Sequence, residues 1–225
     1  MKDKNILSAI ILCGGMSRRM GEDKGLMEID KKPMIIHVLE TLTHQIDEVI
    51  IVLNDNERII RYKPIIQKYL NHNLNFDFDI KFVEDEIKNK GPLSGIMTGL
   101  KIISSDYALV LPCDSPYISS EFVSYMFNIL SDFLESDDTI EGIIPYHSLE
   151  NDNLKKVILN NSEPLHSIYK KNNYLLIYNL LNNNEKQVKS FINQINAKFI
   201  PIDNDKSNNK INEINFKNIN YRNDL

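Results

Sequence analysis

The chain has 225 residues, 42% hydrophobic and 25% charged, the balance of a globular protein large enough for one sizeable core. A formal net charge of −5 argues against the basic face of a nucleic-acid binder, and no apolar run is long enough to span a bilayer. Two cysteines, with no secretory signal ahead of the first strand, predict reduced, buried thiols in a cytoplasmic protein rather than a disulfide.

Residues 8–13 are apolar and β-branched, as in a buried strand, and the run breaks at Gly14 and Gly15. Arg18, Arg19 and Lys24 follow closely. Such a loop suits an anion, because glycines let backbone N–H groups approach phosphate oxygens while cationic side chains neutralise the remaining charge. It is not a P-loop, since Lys24 is followed by Gly25, and no G-x-G-x-x-G ends the strand. Residues 26–30 predict a hairpin arm closing at Lys31 and Lys32. A helix then starts at Pro33, with Met34, Ile35, Val38, Leu39 and Leu42 at helical spacing.

The apolar run 49–53 predicts a parallel strand covered on both faces and ended by Asn54. Residues 57–70 read as a helix with Ile59, Ile60, Ile65, Ile66 and Tyr69 inward and a kink or break at Pro64. A strand over 76–83 runs into Glu84 and Asp85, and a helix is entered through Gly91-Pro92-Leu93-Ser94-Gly95. Another buried strand, 107–111, ends in Pro112-Cys113-Asp114, and Ser119-Ser120-Glu121 opens the next helix. Later come strands at 142–146, 164–169 and 198–202, helices at 173–181 and 186–195, and indistinct polar stretches at 151–161 and 203–212.

This alternation predicts an α/β fold, a single Rossmann-like domain whose mostly parallel sheet carries helices on both faces. Ligands bind such sheets beyond the carboxyl ends of the strands. Cys13-Gly14, Asn54, Asp85 and Asp114 all stand at predicted strand ends, which points to one active site. Asp114, held between two prolines, is the candidate ligand for a hard cation, although Asp-Ser-Pro alone also reads as a turn cap. Lys24 is the natural partner of a triphosphate, Arg19 is a second, and Arg18 is expected to face solvent. No clustered Cys/His set suggests zinc.

The pattern L-x-G-G-x-S-x-R-M-G-x-x-K, running from Leu12 to Lys24, together with Pro112-Cys113-Asp114-Ser115-Pro116, resembles the nucleotidyltransferases, and within them the molybdenum cofactor guanylyltransferases. The resemblance implies magnesium at Asp114 and a nucleotide site made by Leu12, Cys13, Gly14, Gly15, Lys24, Asn54, Asp85 and Asp114, with Lys24, Asp114 and Arg19 catalytic. Asp85, ahead of Gly91-Pro92-Leu93, would take guanine, whose N1–H and N2–H₂ donate together to a carboxylate. The interval between them is longer than the family's. Asn54 would touch base or ribose, or simply end its strand.

Pro164-Leu165-His166 and Asn218-Ile219-Asn220 resemble the family's acceptor elements, implying His166, Asn218 and Asn220 as acceptor-binding, with packing the other reading of His166. Residues 1–135 would then be the nucleotide part and 136–225 the acceptor part. The implied reaction moves GMP from GTP to the phosphate of molybdenum-molybdopterin and releases pyrophosphate, with hand-over to molybdoenzymes or other cofactor-biosynthesis proteins. A phosphate acceptor is already anionic, so His166 is not needed as a base. A molybdopterin cytidylyltransferase or a sugar-phosphate nucleotidyltransferase is the nearer alternative, which Gly14-Gly15 and Pro112-Cys113-Asp114 disfavour. A non-catalytic nucleotide-binding regulatory protein is the alternative of another class, which intact Lys24 and Asp114 disfavour.

Overall fold

The computed structural model describes residues 6–14, 23–72, 76–148, 155–202, 213–217 and 219. In chain order, β1 is Ser8–Cys13, and a short hairpin of β2 (Glu28–Ile29) and β3 (Lys32–Pro33) turns through Asp30 and Lys31, both at positive φ. The helix α1 follows at Met34–Leu42, then β4 (Glu48–Leu53), α2 (Asn56–His72), β5 (Asp79–Glu84), α3 (Pro92–Ile102), β6 (Tyr107–Pro112) and α4 (Ser120–Leu134). The later elements are β7 (Gly142–Tyr146), α5 (Lys155–Asn160), β8 (Ile168–Lys170), α6 (Asn173–Asn182), α7 (Val188–Ile192) and β9 (Ala197–Pro201).

Seven of these strands form one sheet in the order β5-β4-β1-β6-β8-β7-β9. The four strands from β5 to β6 are parallel, β8 is antiparallel to both its neighbours, and β9 runs parallel to β7. The order reverses between β1 and β6, the switch point at which doubly wound sheets open a crevice. Side chains of β1 alternate between the two faces. Ala9, Ile11 and Cys13 pack with α1, α2 and α4, whereas Ile10 and Leu12 pack with α3, α6 and α7. At the opposite edge buried Glu48 accepts hydrogen bonds from Ser8 Oγ, Lys81 Nζ and the Ser104 N–H and hydroxyl, which ties the amino ends of three strands to one carboxylate. Those bonds outweigh its burial and hold its carboxyl below the usual range.

Four local expectations need correction. Pro64 does not end α2, which runs on to His72: it lies on the exposed face, where water can satisfy the carbonyl it leaves unbonded. Ile60, expected in the core, is 64% exposed, and Tyr62 is buried instead, because Ile59, Tyr62 and Ile66 share the inward face. The 151–161 stretch, read as indistinct, contains α5. The strand read at 164–169 starts at Ile168, since residues 164–166 are consumed in a turn closed by the His166 N–H donating to the Glu163 carbonyl.

Candidate active site

Parallel register brings Cys13, Leu53 and Glu84 into line, with Leu12 beside Pro112, so Gly14, Asn54, Asp85 and Asp114 emerge on one edge of the sheet. On the α3 side the first three of these open a cavity of about 290 Å³ lined by Leu12, Gly14, Asn54, Asp85, Gly91 and Gly95 among others. Gly14 and Asn54 stand close: a Cβ on Gly14 would lie 2.6 Å from Asn54 Oδ1 and would push that side chain aside. Gly91 caps α3 at φ 75°, a conformation that favours glycine, and starts the helix beside Asp85.

Asp85 is 8% exposed. Its N–H donates to the Leu53 carbonyl at 2.7 Å, which carries the β4–β5 pairing one residue past the strand. Its Oδ1 accepts from the Ser94 hydroxyl at 2.5 Å and the Thr98 hydroxyl at 3.1 Å. Burial pushes its carboxyl above the usual range, and the two hydroxyls and Lys88 only partly offset that push. The four-residue spacing of Ser94 and Thr98 on α3 is the signal that sequence reading passed over. Lys88 donates to the Asn54 carbonyl and to Glu84, tying the two strand ends below the cavity.

Across Gly14 lies the second half of the site. Lys24 Nζ stands 3.2 Å from Asp114 Oδ2, with side chains 25% and 20% exposed, so cation and carboxylate meet at a wetted edge. The segment is held close: a Cβ on Gly25 would come within 2.5 Å of Tyr62 Oη and 2.9 Å of Cys113 Sγ. Cys13 and Cys113 are both buried free thiols, and burial together with the bond to Cys113 pushes the Cys13 thiol well up, which makes it unreactive. Asp23, Arg58 and Tyr62, unassigned from sequence, form a buried cluster beneath the same segment.

His166 is 1% exposed and lies packed within the fold. Its Nε2 lies 3.0 Å from Ser115 Oγ and its Nδ1 3.4 Å from Glu163 Oε2, and Phe216 meets its ring edge-to-face at 5.2 Å. The contact with Ser115 braces the turn that carries Asp114. The Ile219 N–H donates to the Asp114 carbonyl at 3.0 Å, so the end of the chain returns to the same turn. Gly15, Arg18, Arg19, Asn218 and Asn220 lie outside the described residues. No helix among the described residues is long and apolar enough to cross a membrane.

Comparison with known proteins agrees with this fold. Residues 9–151 match the MobA-like NTP transferase domain. A protein of Methanothermobacter thermautotrophicus named "Probable molybdenum cofactor guanylyltransferase" is 33% identical over 190 residues, covering 84% of each chain. The fold resembles that of molybdopterin-guanine dinucleotide biosynthesis protein A from Archaeoglobus fulgidus, with a TM-score of 0.69 at 19% identity over 97% of this chain and 94% of that one. It also resembles 4-diphosphocytidyl-2C-methyl-D-erythritol synthase from Anaerococcus prevotii, with a TM-score of 0.64 at 18% identity over 98% and 92%. The match over residues 9–151 and the archaeal relative together make this chain a member of the MobA-like NTP transferase family, and the enzyme a nucleotidyltransferase.

Proposed function

We propose that the enzyme transfers GMP from GTP to the phosphate of molybdenum-molybdopterin and releases pyrophosphate. One observation carries the choice of base: a buried carboxylate, Asp85, lines a cavity at the carboxyl ends of β4 and β5. Guanine presents N1–H and N2–H₂ to such an acceptor, whereas adenine has no such pair of donors and cytosine is smaller. The relative from M. thermautotrophicus, named for guanylyl transfer, supports the same reading.

The residues present fit magnesium. This cation binds through one or two carboxylates and completes its shell with substrate phosphates and water, so the lack of a cluster of three His, Cys, Asp or Glu among the described residues is compatible with it. Asp114, a partly exposed hard-oxygen donor paired with Lys24 on the same edge of the sheet, would hold it. Bound there, magnesium supplies charge neutralisation on the phosphate oxygens. Lys24 follows the charge that develops on the departing pyrophosphate, and the backbone at Gly14, with Gly15 and Arg19 beyond it, cradles the remaining phosphates. An acceptor phosphate oxygen attacks the α-phosphorus in line, so alignment and charge do the work and no general base is required. The part after residue 135 would present the pterin, with His166 bracing the Asp114 turn and Asn218 and Asn220 reaching the acceptor. Reduced Cys13 and Cys113 suit a cytoplasmic enzyme.

The test is pyrophosphate release with each of the four nucleoside triphosphates and the pterin acceptor, in wild type and Asp85→Ala. GTP should be preferred, and the variant should lose about ten- to a hundredfold of the GTP:CTP and GTP:ATP ratios of kcat/KM, the worth of a hydrogen bond to a charged group. A wild type that prefers CTP would replace this reading with cytidylyl transfer. Binding without turnover would make the chain a nucleotide-binding regulator.

A further inference from the structure

Cys13, at the end of β1, and Asp23, the residue before Lys24, stand on either side of the glycine loop, and one side chain reaches both. Arg58 lies in the first turn of α2, where its N–H donates to Asp55 Oδ1 at 2.8 Å. Its side chain is 14% exposed and turns back toward β1 and Asp23. There Nη1 donates to the Cys13 carbonyl at 3.1 Å, while Nε stands 3.4 Å from Asp23 Oδ2. Asp23 is itself 6% exposed, and its Oδ1 accepts from Tyr62 Oη at 2.5 Å; Arg61 Nη2 is 3.7 Å from the other oxygen.

We infer that Arg58 is a positioning residue: its planar guanidinium staples the two stems of the phosphate loop and so sets where Lys24 stands against Asp114. This rests on the reaction proposed above. Three observations set it apart from an ordinary surface ion pair, which contributes little. Both partners are withdrawn from water, so each needs the other. The guanidinium donates to a backbone carbonyl with one arm while another lies within ion-pair range of the carboxylate, and a flat, forked group can face both at once where an ammonium cannot. Finally, Lys24 follows Asp23 directly, so slack at Asp23 is passed to Lys24 with no intervening residue to absorb it. A misplacement of about 1 Å in a phosphoryl-transfer site can cost on the order of a hundredfold in rate.

Wild type is compared with Arg58→Lys and Arg58→Met by steady-state kinetics and by hydrogen–deuterium exchange of the 12–26 segment without nucleotide. If the staple is real, both variants exchange faster in that segment. Both also lose about tenfold or more in kcat with KM for the pterin unchanged, and Lys, despite its charge, fails to rescue. Wild-type exchange and kcat in Arg58→Lys would overturn the inference, since charge alone would then suffice. Should the Arg58 variants not fold, Tyr62→Phe, which removes one hydroxyl from the clamp, should show the same two changes at smaller size; wild-type values there would count against the staple. Because exchange is read without substrate, faster exchange in a protein that does not use GTP would uphold the staple while removing the proposed reaction.

Discussion

Asp114 and Asp85 both follow a parallel strand, but their surroundings suit them to different tasks. Asp114 meets Lys24 at an edge open to water, where a cation or a phosphate can join the pair. Its Asn variant should therefore keep the fold, because a partly exposed pair contributes little stability, yet lose on the order of 3 kcal/mol of transition-state stabilisation. Single-turnover rates beside a thermal melt check this, and near-normal turnover in folded Asp114→Asn would remove the assignment. Asp85 is buried among hydroxyls, and burial raises its carboxyl pKa. The folded chain thus holds this proton more tightly than the unfolded one. The resulting stability is full below the unfolded value of about 4 and is lost as pH rises through the folded value. Asp85→Asn, neutral and still able to accept from Ser94 and Thr98, should melt at or above wild type near pH 8, with the gap closing toward pH 4 or so. A gap that does not vary with pH would contradict it.

The element that matters most to the cavity is α3, whose closeness to β1 is set by two glycines one turn apart. A Cβ on Gly95 would lie 2.9 Å from Leu12 Cδ2, and one on Gly99 would lie 2.6 to 2.9 Å from three atoms of Ile10. Glycine inside a helix costs about 1 kcal/mol relative to alanine, so their presence at both positions reflects the approach of helix to strand. Gly99→Ala should nonetheless destabilise by about 1–3 kcal/mol, because Ile10 is fully buried and has no room to retreat. Urea unfolding measures the sign directly; a gain in stability would mean that the sheet yields easily. Since Gly91 and Ser94 ride on the same helix, any outward shift should also loosen the Asp85 end of the cavity.

At the scale of the whole molecule, the sheet's second half supports the first. Strand β8 joins β6 in antiparallel fashion, and the turn before it brings His166 under Ser115. The segment Glu213–Phe216 then crosses back: Asn215 Nδ2 donates to the Tyr117 carbonyl at 2.9 Å, and Phe216 stands edge-on to Phe122, His147 and His166. Phe216→Ala should cost about 3–5 kcal/mol, as for other buried aromatic truncations, and lower kcat more than nucleotide affinity, because the Asp114 turn loses its backing while the cavity on the α3 side is untouched. Unchanged kcat at unchanged stability would show that the returning segment merely covers the surface.

The parts legible in the sequence were those governed by local chemistry. Continuous apolar runs marked β1, β4 and β6, Ser119 marked the start of α4, where it accepts from the Phe122 N–H, and turn residues placed Gly14, Asn54, Asp85 and Asp114 at strand ends. Because the strands are parallel, ends in sequence become one edge in space, so much of the site could be read before any contact was known. Tertiary structure alone decided the rest. That His166 packs, that Arg58 reaches back from α2 to Cys13 and Asp23, and that Ser94 and Thr98 turn toward Asp85 depend on how helices lie against the sheet. Nothing in the spacing of residues 13, 23 and 58 encodes that meeting, since it arises from the tilt and depth at which α2 docks through Tyr62 and Ile66.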